Sequence, residues 1–179
     1  HGVQTAIGIQ HMLRDFNQQR KQQGLEPLHV SIGLNTGMLS VGDMGTDLRR
    51  NYTVIGDAVN LASRLEGMAK LYGQAVVVGE STKIAVPEEQ WRWIDFVKVV
   101  GKEQAVNVYS PIALEDSVYL TQELALWETF RTAWLTGQQT SCLDVLQQLR
   151  QLRPNYPLYE LYAQRVAKNM AAAATDVAW

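Results

Sequence analysis

Apolar positions in the opening segment "HGVQTAIGIQHMLRDFNQQRKQQG" recur at helical spacing. Val3, Ala6, Ile9, Leu13 and Phe16 share one face, a glutamine-rich surface fills the other, and Gly24 supplies the stop. The spacing predicts an amphipathic helix. No capping residue precedes it, since His1 and Gly2 lead almost at once into the pattern, and the expectation is a chain that begins inside a larger domain. From His29 the period shortens to two. "HVSIGLNTG", "MLSVGDMG" and "NYTVIG" read as strands, and the first two, meeting around Thr36 and Gly37, predict a hairpin. Asp57 is placed to cap the next helix, whose Leu61, Leu65, Met68 and Tyr72 form a buried stripe ended by Gly73. "AVVVG" then reads as a buried strand, "ESTKIAV" as a short helix closed by Pro87, and "WRWIDFVKVVGK" with "AVNVYSPI" as two strands joined near Gly101.

Beyond Pro111 the pattern becomes purely helical. Helices are predicted over 120–136, with Leu124, Trp127, Phe130 and Trp134 inward; over 141–152, with Leu143, Leu146 and Leu149; and over 157–170, punctuated by Gly137 and Pro154. The division this suggests is an α/β body over residues 1–113 and a docked helical extension over 114–179.

Composition narrows the chemistry. A chain of 179 residues that is 46% hydrophobic can bury a sound core, and a net charge of −2 leaves no broad cationic footprint for nucleic acid or an anionic membrane. Any polyphosphate site must be local. Cys142 is the single cysteine, which excludes an internal disulfide and a Cys-rich metal site and suits a reducing, cytoplasmic setting. No apolar run reaches the length of a membrane span, and the N-terminus lacks the regions of a signal peptide.

Most isolated candidates have bland explanations. His1, His11 and His29 share no metal-ligand spacing, and the glycines of "GLNTGMLSVGDMG" fit neither GxxxxGK[ST] nor GxGxxG. Asp43 and Asp57 each follow a glycine and read as a turn residue and a helix cap, so no complete metal site is expected. No Ser/His/Asp or Cys/His set supports nucleophilic catalysis. Asn60 and Arg64 are harder to dismiss: asparagine is a poor helix former, and the pair lies four residues apart, off the buried stripe. Such a pair is either a solvated face or two polar ends that reach one ligand.

Their context carries a resemblance. The run "IGLNTGMLSVGDMGTDLRRNYTVIGDAVNLASRLEGMAKLYGQAVVVGEST" resembles the catalytic domain of class III nucleotide cyclases, for which a Y-x-V-x-G-D-x-V-N-x-A-x-R-L-E block is diagnostic. The likeness extends from about residue 1 to about Tyr109, and the remainder resembles the helical extension that follows this domain in many bacterial members. It implies a partial cyclase fold, a mixed and mostly antiparallel sheet with flanking helices, plus a C-terminal helical tail. It also implies a reaction in which the ribose 3'-hydroxyl of ATP attacks the α-phosphate, giving 3',5'-cyclic AMP and pyrophosphate.

The resemblance assigns roles residue by residue. Asn60 matches the asparagine that orients the ribose, and Arg64 the arginine that meets charge growing on the α-phosphoryl group, a task suited to a permanently charged, forked guanidinium. Thr53 stands where many adenylate cyclases carry an adenine-reading aspartate and is similar to the threonine of the class IIIb, bicarbonate-responsive adenylate cyclases; Val54 would add backbone contacts. "VKVVGKEQ" is similar to the family's V-K-G-K segment, with Lys102 expected at the triphosphate and Lys98 second, but Val100 replaces the motif's first lysine. The F-x-D-[IL]-x-x-[FS] strand, the later metal aspartate and the purine-binding lysine all precede the point where this chain starts. Family members are dimers whose sites combine metal carboxylates from one subunit with the Asn and Arg of the other, so ATP, a homodimer and Mg²⁺ or Mn²⁺ held by the missing portion are the implied partners and cofactors. Three rival readings stay open: a non-catalytic cyclase-homology domain, a guanylate cyclase, and an interaction module built on the tail, whose first two helices resemble a single tetratricopeptide hairpin.

Overall fold

The computed structural model describes residues 1–46, 49–99, 105–168 and 175–177. Helix α1 (Gly2–Gln22) carries Arg20 and Lys21 in its last turn, where positive charge complements the helix dipole, and the chain leaves it through Gly24 at φ +72°. Val3, Ala6 and Ile7 are buried, whereas Ile9, Met12 and Phe16 are exposed. The expected stripe therefore holds for Val3 and Ala6 and fails for Ile9 and Phe16. Spacing identifies a shared face but not how far along the helix that face is covered.

Strand β1 (Ile32–Leu34) is followed by β2 (Ser40–Thr46) and β3 (Arg49–Ile55). The hairpin expected between β1 and β2 does not form; β2 pairs antiparallel with β3, placing Gly42 opposite Thr53 and Val41 opposite Val54. The link from β1 to β2 is held by helices instead. Asn35 Nδ2 donates to Ala58 O at 3.2 Å, and the Thr36 and Thr82 hydroxyls share a hydrogen bond of 3.1 Å. These partners lie 23 and 46 residues onward, so local turn chemistry could not announce them.

Helix α2 (Asp57–Tyr72) starts from Gly56, which takes the cap position expected of Asp57; Asp57 instead sits in the first turn, where its charge faces the positive end of the helix. Leu61, Leu65, Met68 and Tyr72 are buried as their spacing predicts, and Gly73 ends the helix at φ +63°. Strand β4 (Val76–Gly79), helix α3 (Glu80–Ala85), β5 (Trp91–Val99), β6 (Val106–Pro111) and β7 (Thr175–Val177) complete the sheets. The main sheet has the order β1-β4-β6-β5-β7, with β1 parallel to β4 and β5 parallel to β7. Three of the five pairings among the described residues are antiparallel, so the architecture is a mixed, mostly antiparallel sheet with flanking helices.

The extension forms α4 (Leu120–Leu135), α5 (Gln139–Leu152) and α6 (Pro157–Ala167). Trp127, Phe130 and Trp134 are buried with Leu146 and Leu149, but Leu143 is exposed and Cys142 and Val145 take the inward positions of α5. Trp127 Nε1 donates to Trp93 O at 2.6 Å, and the Tyr162 hydroxyl to Ile94 O at 2.9 Å. Indole and phenol donors from the tail thus satisfy carbonyls of β5 while their rings exclude water around them. One continuous apolar core joins α2, the central strands and α4 to α6.

Candidate functional site

Asn60 lies in the first turn of α2, its backbone N–H bonded to Gly56 O at 3.1 Å, and its side chain is exposed. Arg64, one turn later, is half-buried. Both lie off the Leu61–Leu65 stripe, so the helix that buries that stripe against the sheet turns these two side chains to a common outer face. Two close backbone contacts set where this helix sits. A Cβ on Gly33 of β1 would collide with Ala62 O and with the backbone of Glu66, so the strand approaches α2 at backbone distance; a Cβ on Gly37 would come 2.7 Å from Ala58 Cβ.

Thr53 and Val54 lie on β3, the strand that feeds through Gly56 directly into α2. Thr53 is half-buried and Val54 exposed, and strand alternation turns their side chains to opposite faces. One strand–glycine–helix unit therefore carries Thr53, Val54, Asn60 and Arg64. Lys102 lies outside the described residues, and Lys98 is exposed near the end of β5. Asp43 is exposed on β2 opposite Tyr52, apart in the fold from Asp57 on α2. Among the described residues, no three His, Cys, Asp or Glu side chains converge as a bound metal would require.

Sequence reasoning missed two buried polar clusters that tie the tail to the sheet. In the first, Arg92 donates to Glu115 at 2.9 Å and to the Tyr159 hydroxyl at 2.9 Å, while Arg153 and the Tyr156 hydroxyl also donate to Glu115, at 2.5 and 2.8 Å. Burial alone would raise the Glu115 carboxyl, but Arg92 and then Arg153 and Tyr156 outweigh it and hold it below the usual glutamate range. In the second, Asp95 Oδ2 accepts from the Tyr72 hydroxyl at 2.6 Å and from Arg165 Nη1 at 2.7 Å. Burial and then the Asp95 charge push the Tyr72 phenol far up, so it remains a donor; burial opposes the Arg165 charge, but Asp95 outweighs it and raises that group.

The available signal was faint. Arg92 and Asp95 are charged residues inside the apolar run "WRWIDFV", but a three-residue spacing sends side chains to opposite faces of a regular strand. The register of β5 against β6 shifts between Trp93 and Asp95, and this irregularity lets both charges reach partners on α6, Tyr159 and Arg165.

A mixed sheet flanked by helices, with an additional C-terminal helical segment and an Asn–Arg pair borne on the helix that follows the β2–β3 hairpin, is the partial fold of a class III cyclase catalytic domain. Residues 1–110 match the family described as the adenylate and guanylate cyclase catalytic domain, and the chain belongs to it. It is 41% identical over 115 residues to an adenylate cyclase of Anabaena cylindrica, covering 60% of this chain and 23% of that protein. It is 31% identical over 123 residues to adenylate cyclase 1 of Rhizobium meliloti (strain 1021), covering 68% of this chain and 18% of the relative. The chain thus spans less than a quarter of the length of either protein. Among solved structures, the adenylyl cyclase CyaB from P. aeruginosa superposes with a TM-score of 0.50 at 33% identity, over 63% of this chain and 57% of that one.

Proposed function

We propose that this chain supplies the half-site that stabilises the transition state in an adenylate cyclase of the threonine-containing IIIb type, converting ATP to 3',5'-cyclic AMP and pyrophosphate. The observation that carries this reading is the outward pair Asn60 and Arg64, one turn apart on α2, within a block that follows the family pattern. As the 3'-hydroxyl releases its proton to solvent and its oxygen bonds to the α-phosphorus, the bond from that phosphorus to the leaving pyrophosphate breaks, and negative charge spreads over the α-phosphoryl oxygens and the leaving group. Arg64 stabilises that charge without needing a proton, and Asn60 holds the ribose so that its 3'-oxygen is in line. Thr53 reads the adenine amino group with its hydroxyl, Val54 adds backbone contacts, and Lys102 meets the triphosphate.

The site is completed between two copies. Met38, Val41, Tyr52, Val54 and Ile55 are exposed on and beside the β2–β3 hairpin, an apolar surface suited to a second subunit, which would bring the carboxylates that hold Mg²⁺ or Mn²⁺. In the full-length enzyme, Arg64→Ala should lower kcat by about 10²- to 10³-fold with a much smaller change in KM, the signature of a donor used in the transition state. Steady-state cyclic AMP assays check this; near-wild-type kcat in that variant would overturn the reading.

A further inference from the structure

Asn60 lies near the start of α2 and Arg64 at its middle, and the helical extension grips the other end. Tyr72, the last residue of α2, donates its hydroxyl to Asp95 on β5, and Arg165 of α6 donates to the same Asp95 oxygen, at 2.6 and 2.7 Å. The Arg165 guanidinium also lies 5.7 Å from the centre of the Tyr72 ring and 4.9 Å from that of Tyr162. All four of these side chains are buried. The grip continues past the helix. A Cβ on Gly73 would meet Pro157 Cβ at 2.5 Å, and Gln74 Nε2 donates to the Tyr156 hydroxyl at 3.0 Å. Pro157 and Tyr156 begin α6, so the start of that helix seats on the cap of α2 while Arg165, two turns on, holds the Tyr72 end through Asp95.

An α-helix is a stiff rod, and at 1.5 Å per residue Asn60 lies about 18 Å and Arg64 about 12 Å from Tyr72 along its axis. Gly33 brings β1 against the backbone at Ala62 and Glu66, on either side of Arg64, and makes a fulcrum there, so a change of tilt displaces Asn60 and reorients Arg64 about the pivot. A rod pressed at its middle and held at one end has a fixed tilt; freed at that end, it pivots, and the opposite end moves the other way.

We propose that the helical extension positions the Asn60–Arg64 face of α2 by clamping the far end of that helix through Tyr72, Asp95 and Arg165, a role that rests on the adenylate cyclase reading. Tyr72, Asp95 and Arg165 are positioning residues that touch no substrate. Phe96 N–H also donates to Asp95, at Oδ1 and 2.7 Å, but Tyr72 and Arg165 both donate to Oδ2. A buried carboxylate that loses either of them is undercompensated and seeks water, which loosens the end of α2. A displacement of the order of 1 Å at reacting groups can cost about 10²-fold in rate, so a small pivot is enough to matter.

The test uses the full-length enzyme and three variants: Tyr72→Phe, which removes one hydroxyl and keeps the ring; Arg165→Gln, which removes the charge; and Arg150→Gln as a control. The control removes the exposed pair of Arg150 with Glu160 on the same tail. For the first two, kcat should fall about tenfold with KM for ATP unchanged within about twofold, and amide exchange over residues 58–64 should quicken about tenfold while β4 and β6 keep their protection. The control should move neither readout. Faster exchange confined to residues 72–74 and α6, with kcat intact, would overturn the proposal, as would equal effects from the control. If Arg165→Gln does not fold, Tyr72→Phe carries both readouts. An inactive wild-type enzyme, or an Arg64→Ala variant of undiminished kcat, would remove the functional reading alone; exchange over 58–64 would then decide the clamp by itself, quickening in its favour and no change against it.

Discussion

Thr53 suits its strand and, under the proposed function, would serve a ligand as well. It is half-buried on β3, opposite Gly42, and that glycine leaves the space across the strand pair uncrowded. A β-branched residue suits the strand, so its presence needs no ligand; the functional claim rests on its hydroxyl, which can accept one hydrogen bond from an adenine amino group. A site that hydrogen-bonds a base loses discrimination when that partner is removed, because the wrong base no longer leaves a group unpaired. Thr53→Val, which keeps the shape and deletes the hydroxyl, should therefore erode the preference for ATP over GTP more than it slows turnover. Comparing kcat/KM for the two nucleotides checks this, and equal losses with both would count against base reading.

At the scale of elements, α2 is placed by backbone contact as much as by its apolar stripe. Leu61, Leu65, Met68 and Tyr72 bury one face, which fixes the rotation of the helix about its axis, while Gly33 lets β1 come close enough to fix its height above the sheet. Gly33→Ala places a methyl group on Ala62 O and the Glu66 backbone, atoms that cannot swing aside as a flexible side chain would. The expected cost is about 1–3 kcal/mol of overpacking, read as a lower urea midpoint with an unchanged slope. The same change should lower cyclase activity by lifting the Asn60–Arg64 face, and an alanine variant of wild-type stability would show that the close approach is dispensable.

At the scale of the whole molecule, the tail and the sheet are joined by charge as well as by rings. The Glu115 carboxyl is buried among Arg92, Arg153 and Tyr156, with Glu123 hydrogen-bonded to Tyr159 beside it. Because the folded protein holds Glu115 below its usual range, its contribution is present above the unfolded value of about 4.3 and is lost as pH falls through the folded one. Urea unfolding of the wild type should weaken steeply below about pH 4.3; Glu115→Gln should lose part of that slope and be less stable at neutral pH by about 3 kcal/mol, since two arginines are left short of a counter-charge. An unchanged acid slope in the variant would place the acid lability elsewhere. Composite assembly has its own test at this scale. Residues 1–179 alone are expected to make no cyclic AMP, and mixing them with a cyclase variant that keeps its metal aspartates but lacks its Asn and Arg should restore activity. Turnover by the isolated chain would refute the shared site.

Several features were legible in the residues alone because they depend on local period and local punctuation. The stripe from Leu61 to Tyr72, the stop at Gly73, the apolar strand at Val76–Gly79 and the outward Asn60–Arg64 pair all follow from a repeat of 3.6 or 2 read against glycine and proline. The resemblance of one block to the cyclase family needed nothing more than the order of its residues. What only the tertiary structure decided depends on partners far along the chain. Thr36 and Gly37 have the composition of a hairpin turn, but Asn35 and Thr36 are bonded to α2 and α3, so β1 joins β4 instead of β2. Ile9 and Phe16 have the period of a buried face, yet no described element covers them. Arg92 and Asp95 look misplaced in an apolar strand until α6, some 70 residues later, supplies Tyr159 and Arg165. A buried charge is tolerable only beside its counter-charge, and the distance that matters for that is measured through space, where no sequence period records it.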